Sequence, residues 1–285
     1  MSPLKIDTHP HVVSPDTDRY PLNPLGGKRS VWSEDAHSNT PAELIAAMDK
    51  TGVAKAAVVH SSTTYGYDNS LVLDAVAQYP ARLAAVCSID VLAANAVDVL
   101  KDITSRGCVG IRFFTTGSTM GQTNWLNDPK SYPVWDYATQ IKLPLCVQAS
   151  PSGHHMLRDM MDRFPKVQVL LDHCGRADLK DGPPYADNQG VLEMAARYPS
   201  LVVKYTPSVL RRASEGKASP ETFLPLIVKA YGPERMMWGS NYPASDGTLG
   251  ELIDQCEAAL SFLPPSAIEQ IMGRTALRIY PRLNG

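Results

Sequence analysis

The feature that most restricts the fold of this chain is a regular alternation of short apolar runs with longer segments of helical periodicity. Eight runs are rich in Val, Ile and Leu, and they cover residues 5–12, 55–60, 83–90, 108–114, 144–150, 168–175, 201–207 and 235–243. Nearly continuous apolar runs of this kind are typical of parallel strands covered on both faces. The sequence therefore predicts a parallel sheet.

Helix candidates fill the gaps between the runs, at residues 41–51, 69–78, 95–105, 134–142, 154–164, 191–198, 220–231, 249–260 and 265–280. The first follows Thr40, which can cap a helix N-terminus, and it ends at Gly52. Eight strand–helix units in 285 residues predict a single (β/α)8 barrel of the TIM type, distorted and with a C-terminal helix. A doubly wound sheet is the alternative, but no glycine fingerprint for a dinucleotide follows the first run.

Neither a linker nor an internal repeat divides the chain, so residues 1–285 are expected to form one domain. Two connections are long, residues 14–39 after the first run and residues 115–132 after the fourth. Both leave the predicted C-terminal ends of strands, where barrel active sites are built. We therefore expect them to border the site or to be solvated decoration.

Composition excludes several classes of protein. The net charge of −2 and the absence of a basic stripe argue against nucleic acid, and no apolar run reaches the ~18 residues of a membrane span. The first residues lack the apolar core of a signal peptide, and the five cysteines are expected to be reduced. We therefore expect a cytoplasmic protein with a small-molecule partner, and a homo-oligomer is compatible with the sequence.

Three histidines fall at predicted strand ends. His9 and His11 lie at the end of the first run, and side chains two apart on a strand share a face. His173 ends the sixth run, and a barrel would bring it to the same rim. Imidazoles so grouped are typical of metal ligands or hydrogen-bonding groups in catalysis. Surface histidines or a satisfied core histidine are the structural alternatives.

Other polar side chains fall in or just after the predicted strands: Arg112, Gln148, Arg176, Tyr205, Arg211, Asn241 and Tyr242. Burying an unpaired charge costs several kcal/mol, so Arg112 within an apolar strand is expected to have a charged partner or ligand. An arginine there can receive a substrate carboxylate or form a structural ion pair inside the barrel, and the sequence favours neither.

Three ordered motifs resemble those of the amidohydrolase superfamily: His9-Pro10-His11, the segment DHCGR at 172–176 and the segment WGSNYP at 238–243. The resemblance runs from Ile6 to Tyr280. It is strongest to the branch of 2-pyrone-4,6-dicarboxylate lactonases and sugar-lactone hydrolases. It implies a hydrolase in which His9, His11 and His173 polarise the carbonyl of a cyclic ester. Pyrone lactonases of this branch need no metal, whereas decarboxylase relatives hold zinc or a related ion at the same positions.

The resemblance also implies that Arg112 and Arg176 bind a substrate carboxylate, and that Arg211 is a further substrate-binding arginine. A second arginine of the strand-four loop is replaced here by the segment TTGS at 115–118. A less anionic or more hydroxylated substrate is therefore expected. Gln148, Tyr205 and Tyr242 are expected to contribute hydrogen bonds.

Asn241 is the main departure from the family pattern, which has an aspartate that takes a proton from the attacking water. Asparagine has no basic site for this role. Three explanations are open. Asn241 is an engineered substitution that blocks turnover, it is a natural variant, or another residue is the general base, with Asp246 and His173 as candidates.

The predicted activity is hydrolysis of a small oxygenated lactone, with His9, His11, His173 and Asn241 as catalytic residues. No cofactor is expected to be required, and the alternative is one divalent ion, Zn or Mn, on His9, His11 and His173. The alternative functions are a metal-dependent decarboxylase of the same superfamily and a catalytically impaired protein that binds a lactone or carboxylate.

Overall fold

The computed structural model describes residues 4–34 and 38–284, so residues 35–37 of the first long connection lie outside the described part. Eight strands form one sheet in sequential order. They are β1 (Lys5–Asp7), β2 (Val53–Val59), β3 (Leu83–Cys87), β4 (Cys108–Phe114), β5 (Leu145–Gln148), β6 (Val169–Leu171), β7 (Val202–Tyr205) and β8 (Met236–Trp238).

Neighbouring strands pair in parallel around the sheet, with Arg112 opposite Cys146 between β4 and β5. Just beyond β1, the backbone N and the hydroxyl of Thr8 donate to the carbonyl of Trp238, the last residue of β8. The first and last strands are thereby brought together in a nearly closed barrel. The predicted (β/α)8 fold is confirmed, and the doubly wound alternative is wrong.

The helices surround the barrel as α1 (Pro41–Thr51), α2 (Ser62–Tyr65), α3 (Ser70–Gln78), α4 (Ala96–Ser105), α5 (Tyr132–Gln140), α6 (His154–Arg163), α7 (Gln189–Arg197), α8 (Pro207–Ala213), α9 (Pro220–Tyr231), α10 (Leu249–Ala259), α11 (Pro265–Glu269) and α12 (Thr275–Ile279). The Thr40 cap is confirmed, because its hydroxyl accepts from the backbone N of Glu43 and the Glu43 carboxylate accepts from the backbone N of Thr40. Two short helices were not predicted. They are α2 and α8, each of which begins just after a strand.

The last predicted helix is interrupted between α11 and α12 by a π-helical turn, Gln270–Arg274. Gly273 lies in this turn, where an added Cβ atom would be 2.5 Å from the backbone oxygen of Leu4. A glycine is therefore required for the helix to approach β1 so closely. From α12 and the following residues, Ala276 and Tyr280 pack with the apolar side chains of the barrel interior.

Alternation along the strands separates an inner from an outer layer. One apolar cluster fills the barrel, with Val59, Val86, Leu170 and Met237 among its members. The larger cluster lies between the strands and the helices. On β7, Val202 belongs to the inner cluster and Val203 to the outer one, so the next inward side chain is Lys204.

The strands end earlier than the apolar runs predict. β1 ends at Asp7, β6 at Leu171 and β8 at Trp238, so the functional candidates beyond them lie in connections. His173, Arg176 and Asn241 have φ of 53°, 55° and 52°, left-handed values at which a strand cannot continue. Within the described residues, none of the helices has both the length and the apolar character that crossing a membrane requires.

The two long connections meet beside the C-terminal end of the barrel. The hydroxyl of Thr119 donates to the carbonyl of Leu25 at 3.5 Å, and the backbone N of Leu25 donates to the carbonyl of Ser62 at 3.0 Å. The described parts of both connections thus lie at the end of the barrel where strand C-termini meet, as expected for connections that border the site.

Candidate active site

Three histidine rings lie together at the C-terminal end of the barrel. The ring centroid of His9 is 5.1 Å from that of His11 and 4.7 Å from that of His173. All three residues are buried. The connections after β1 and β6 therefore place these rings in one group, as the sequence predicted.

Hydrogen bonds orient two of these rings. Nδ1 of His11 lies 2.7 Å from the carbonyl oxygen of Val59, so it carries the proton and donates. Nδ1 of His173 lies 2.8 Å from the hydroxyl of Thr206 and 3.1 Å from that of Ser208. The indole of Trp32, from the first long connection, stacks on His11 with ring centroids 5.0 Å apart.

A buried charge cluster lies directly beneath the histidines. The carboxylate of Asp172 accepts from Nε of Arg112 at 2.9 Å, and Nζ of Lys204 lies 3.3 Å from its other oxygen. Lys204 also approaches Nδ1 of His9 at 3.4 Å. A second nitrogen of the Arg112 guanidinium donates to the side-chain oxygen of Gln148. The structural ion pair that the sequence left open for Arg112 is therefore present.

The electrostatics of this cluster set the charge of the carboxylate and of the imidazoles. Burial by itself raises the pKa of Asp172, but Lys204 and Arg112 outweigh that effect and hold it at about 2. Burial lowers the pKa of His11 to about 3, and it lowers the pKa values of His9 and His173 well below the ordinary range. At neutral pH the site therefore holds three neutral imidazoles above an ionised carboxylate.

A cavity of about 640 Å³ opens above this cluster. Its lining includes His11, His173, Arg112 and Gln148 from the barrel end. The remaining predicted residues on its wall are Arg176, Arg211 and Asn241. Hydroxyl side chains complete the polar surface, among them Ser61, Ser62, Thr63, Ser118, Ser208 and Ser245.

The arginines of the cavity differ in their partners. Within the described part of the chain, the side chain of Arg176 makes neither a hydrogen bond nor an ion pair, although it is partly buried. Arg211 forms an ion pair with Glu215 at 3.3 Å, and its side chain is 70% exposed. Arg176 is therefore the guanidinium that is available to a ligand.

Asn241 lies on the wall of the same cavity, half-buried, and its side-chain nitrogen donates to the hydroxyl of Ser245 at 3.0 Å. Its amide cannot take up a proton from water. Asp246, one of the two candidate bases, is exposed and also lines the cavity.

Two of the predicted substrate-binding residues lie elsewhere. Tyr205 faces outward from β7 into the helix layer, where its hydroxyl donates to the carbonyl of Cys256 at 3.1 Å. Strand alternation is the reason, because its neighbour Lys204 is the inward residue. Tyr242 lines a separate groove of about 460 Å³, together with residues of α1 and α10. Binding roles for these tyrosines are not supported.

Sequence reasoning assigned no role in the site to Asp172 or Lys204. Each is a charged residue that ends an apolar run, VLLD at 169–172 and LVVK at 201–204. A charge in such a run needs a buried partner, which is the signal that could have identified the pair. Trp32 gave no comparable signal, because it lies in a long connection without periodicity.

The structure also brings together a group that could hold a metal ion. One ligand atom each from His9, Asp172 and His173 lie within 4.8 Å of one another. Two imidazoles and a carboxylate are typical zinc ligands. Within residues 4–34 and 38–284, Nε2 of His9 and one carboxylate oxygen of Asp172 are buried without a hydrogen bond, so the donor types suit such an ion, although the ammonium of Lys204 lies 3.3 Å from that oxygen. Asp172 belongs to this set, whereas the predicted ligand His11 lies beside it.

Comparison with known proteins places this site in a family. The sequence profile of the Amidohydrolase family matches residues 6–282. The chain is 27% identical over 252 residues to 4-sulfomuconolactone hydrolase from Hydrogenophaga intermedia, covering 86% of this chain and 76% of the relative. It is 23% identical over 256 residues to L-fucono-1,5-lactonase from Burkholderia ambifaria, covering 84% of each chain.

Solved structures share the fold. A probable 2-pyrone-4,6-dicarboxylic acid hydrolase from Acinetobacter baumannii superposes with a TM-score of 0.77 at 20% identity, covering 97% of this chain and 99% of that one. An amidohydrolase from Burkholderia multivorans with bound Zn gives 0.78 at 20% identity, covering 98% and 99%. The resemblance that the three sequence motifs suggested is thus confirmed. Because the family profile spans nearly the whole sequence, this chain belongs to the amidohydrolase family and is a hydrolase.

Proposed function

We propose that the protein hydrolyses a small oxygenated lactone that carries an anionic group. The observation that supports this most directly is the position of Arg176, whose guanidinium has no partner among the described residues, on the same cavity as the neutral imidazoles of His11 and His173. The relatives named as lactone hydrolases support the reaction class.

The histidine group suits the chemistry of ester cleavage. Attack of water on a lactone carbonyl places negative charge on the carbonyl oxygen, and preorganised donors in a site shielded from water stabilise that charge. His9, His11 and His173 are buried and held in place by the fold. We therefore assign the polarisation of the scissile carbonyl to His9, and to His173 if Asp246 is the base. His11 donates its single proton from Nδ1 to Val59, so it presents an acceptor at Nε2 to the substrate or the attacking water.

The wall of the cavity suits an anionic and hydroxylated substrate. Arg176 would bind the carboxylate or a similar oxyanion, with Arg211 nearer the solvent. The buried hydroxyl of Ser62 has no hydrogen-bond partner among the described residues and lines the cavity, so it can bind a ring oxygen or hydroxyl. Among the described residues of the cavity wall, one arginine without a partner and many hydroxyls favour one acidic group rather than two.

The proton of the attacking water needs an acceptor. Asn241 cannot serve, and Asp172 is a poor acceptor because its two cationic neighbours hold its pKa at about 2. His173 and Asp246 both line the cavity, and we propose that one of them is the base. Replacement of each, His173→Gln and Asp246→Asn, tests the assignment through the rate of lactone opening.

We propose that turnover does not require a metal, because both oxygens of Asp172 already face cations. If a divalent ion such as Zn²⁺ or Mn²⁺ is bound, His9, Asp172 and His173 would hold it. It would then supply Lewis-acid polarisation of the carbonyl and of water.

A panel of lactones with a pH indicator tests the proposal. Acid release is expected from small lactones with one carboxylate and ring hydroxyls, with and without prior chelation. Ligand-induced thermal stabilisation without acid release would instead indicate a binding protein. Loss of CO₂ from aromatic carboxylates, dependent on a tightly held ion, would indicate a decarboxylase.

A further inference from the structure

Lys204 is a fully buried lysine on β7 whose side chain faces the barrel interior. Its Nζ lies 3.3 Å from an oxygen of Asp172, 3.4 Å from Nδ1 of His9 and 3.5 Å from Sγ of Cys146. An ammonium has three protons to donate and no lone pair to accept with. The contact with Asp172 is an ion pair, whereas His9 and Cys146 lie in hydrogen-bonding positions for protons of the ammonium.

This contact determines which nitrogen of His9 carries a proton. A neutral imidazole has one N–H and one lone pair. Nδ1 of His9 lies 3.4 Å from the ammonium of Lys204, which can only donate, whereas the carboxylate oxygen of Asp172 lies 3.8 Å away, beyond hydrogen-bonding distance. The lone pair must then be on Nδ1 and the proton on Nε2. Nε2 is buried without a partner among the residues that the structure describes, so it is an unsatisfied donor beside His11 and His173, which line the cavity.

The neighbouring histidine is held in the opposite tautomer. Nδ1 of His11 lies 2.7 Å from the carbonyl oxygen of Val59, which can only accept, so its proton is on Nδ1 and its lone pair is on Nε2. The two rings have centroids 5.1 Å apart. At Nε2, His9 therefore presents a hydrogen-bond donor and His11 presents a lone pair.

We propose that Lys204 is a positioning residue that fixes His9 as an Nε2–H donor to the lactone carbonyl oxygen and disfavours a metal ion at His9, Asp172 and His173. The identity of the acceptor, a lactone carbonyl oxygen, rests on the proposed function. The tautomer of His9 and the effect of Lys204 on metal binding do not. A protonated Nε2 has no lone pair for a metal, and the lone pair on Nδ1 faces the ammonium of Lys204 at 3.4 Å. The carboxylate of Asp172 already neutralises the ammonium and the guanidinium of Arg112.

The protonation of His9 is directly observable by NMR. In protein labelled with ¹⁵N at histidine, two-bond ¹H–¹⁵N correlations distinguish the two tautomers, and His9→Gln and His11→Gln assign the signals. We expect the proton on Nε2 for His9 and on Nδ1 for His11, so that His11 serves as an internal reference. A proton on Nδ1 of His9 in the unmodified protein would overturn the proposal.

The variant Lys204→Met removes the ammonium and keeps an apolar side chain of similar length. It should allow the Nδ1–H tautomer of His9 and raise Zn²⁺ affinity by roughly tenfold or more, measured by competition with a chromophoric chelator. Cys146→Ala is the matched control, since it removes the third neighbour of the ammonium and leaves His9 and Asp172 in place. It should change neither quantity.

Unchanged tautomer and Zn²⁺ affinity in folded Lys204→Met would also overturn the proposal. If that variant does not fold, the spectrum of the unmodified protein decides alone. Neither measurement depends on turnover, so a negative lactone screen would count against the proposed function and leave the role of Lys204 to be judged from the spectra.

Discussion

Replacing Arg176 by methionine tests the substrate class most directly. Within the described residues, its side chain makes no hydrogen bond or ion pair, so the substitution removes no internal partner of that kind. Methionine keeps much of the aliphatic stem and removes the charge. The cost is therefore expected to fall on substrate binding, with the fold unaffected.

The size of the effect follows from the contact that is lost. A hydrogen bond to a charged group contributes about 1.5–3 kcal/mol, and each 1.4 kcal/mol corresponds to about a factor of ten. Arg176→Met should therefore raise KM for a lactone carboxylate by about 10- to 150-fold. The value of kcat should change less, because the guanidinium binds a part of the substrate that does not react.

Arg211→Met is the matched control. Its side chain is 70% exposed and already paired with Glu215, so a surface contribution of at most about 1 kcal/mol is expected, which is about fivefold in KM. Steady-state rates of acid release give both values. An unchanged KM for the acidic lactone in Arg176→Met would refute the reasoning. An equal rise for a neutral lactone of the same ring would refute it too, because the loss would then not concern charge.

Three further predictions concern the base, the buried charges and pH. Asn241→Asp should raise kcat on the correct lactone by about 10²–10⁴-fold, since a carboxylate supplies the missing basic site. Slower steady-state turnover of this variant would instead show that the asparagine itself contributes to catalysis. Asp172→Asn should lower the free energy of unfolding in urea by about 3–5 kcal/mol, because two buried cations lose their counter-charge. The exposed-pair control Asp98→Asn should cost no more than about 1 kcal/mol, and equal losses would contradict this account. The free energy of unfolding should fall as pH drops from 6.5 toward 3, because the unfolded chain binds a proton that buried His11, with a pKa of about 3, does not. The slope is about 1.4 kcal/mol per pH unit for such a histidine, and urea melts of His11→Gln that show the same slope would exclude it as a source.

The fold and much of the site could be predicted from local sequence. Apolar runs separated by helical segments determine parallel strands with helical crossovers, and the helix limits at Thr40 and Gly52 follow from capping chemistry. The predicted gathering of His9, His11 and His173 required only that strand C-termini meet at one end of a barrel. These inferences succeed because they depend on neighbours in sequence.

Only the tertiary structure determined which charged residues of the site contact one another. The carboxylate of Asp172 pairs with Arg112 and Lys204, which lie 60 and 32 positions away along the chain. Whether Lys204 or Tyr205 faces the interior depends on how β7 is rotated in the closed sheet. An apolar run covered on both faces does not show which face is which. Closure of the barrel resolves that choice, and it puts the buried lysine beside His9 while directing the tyrosine into the helix layer.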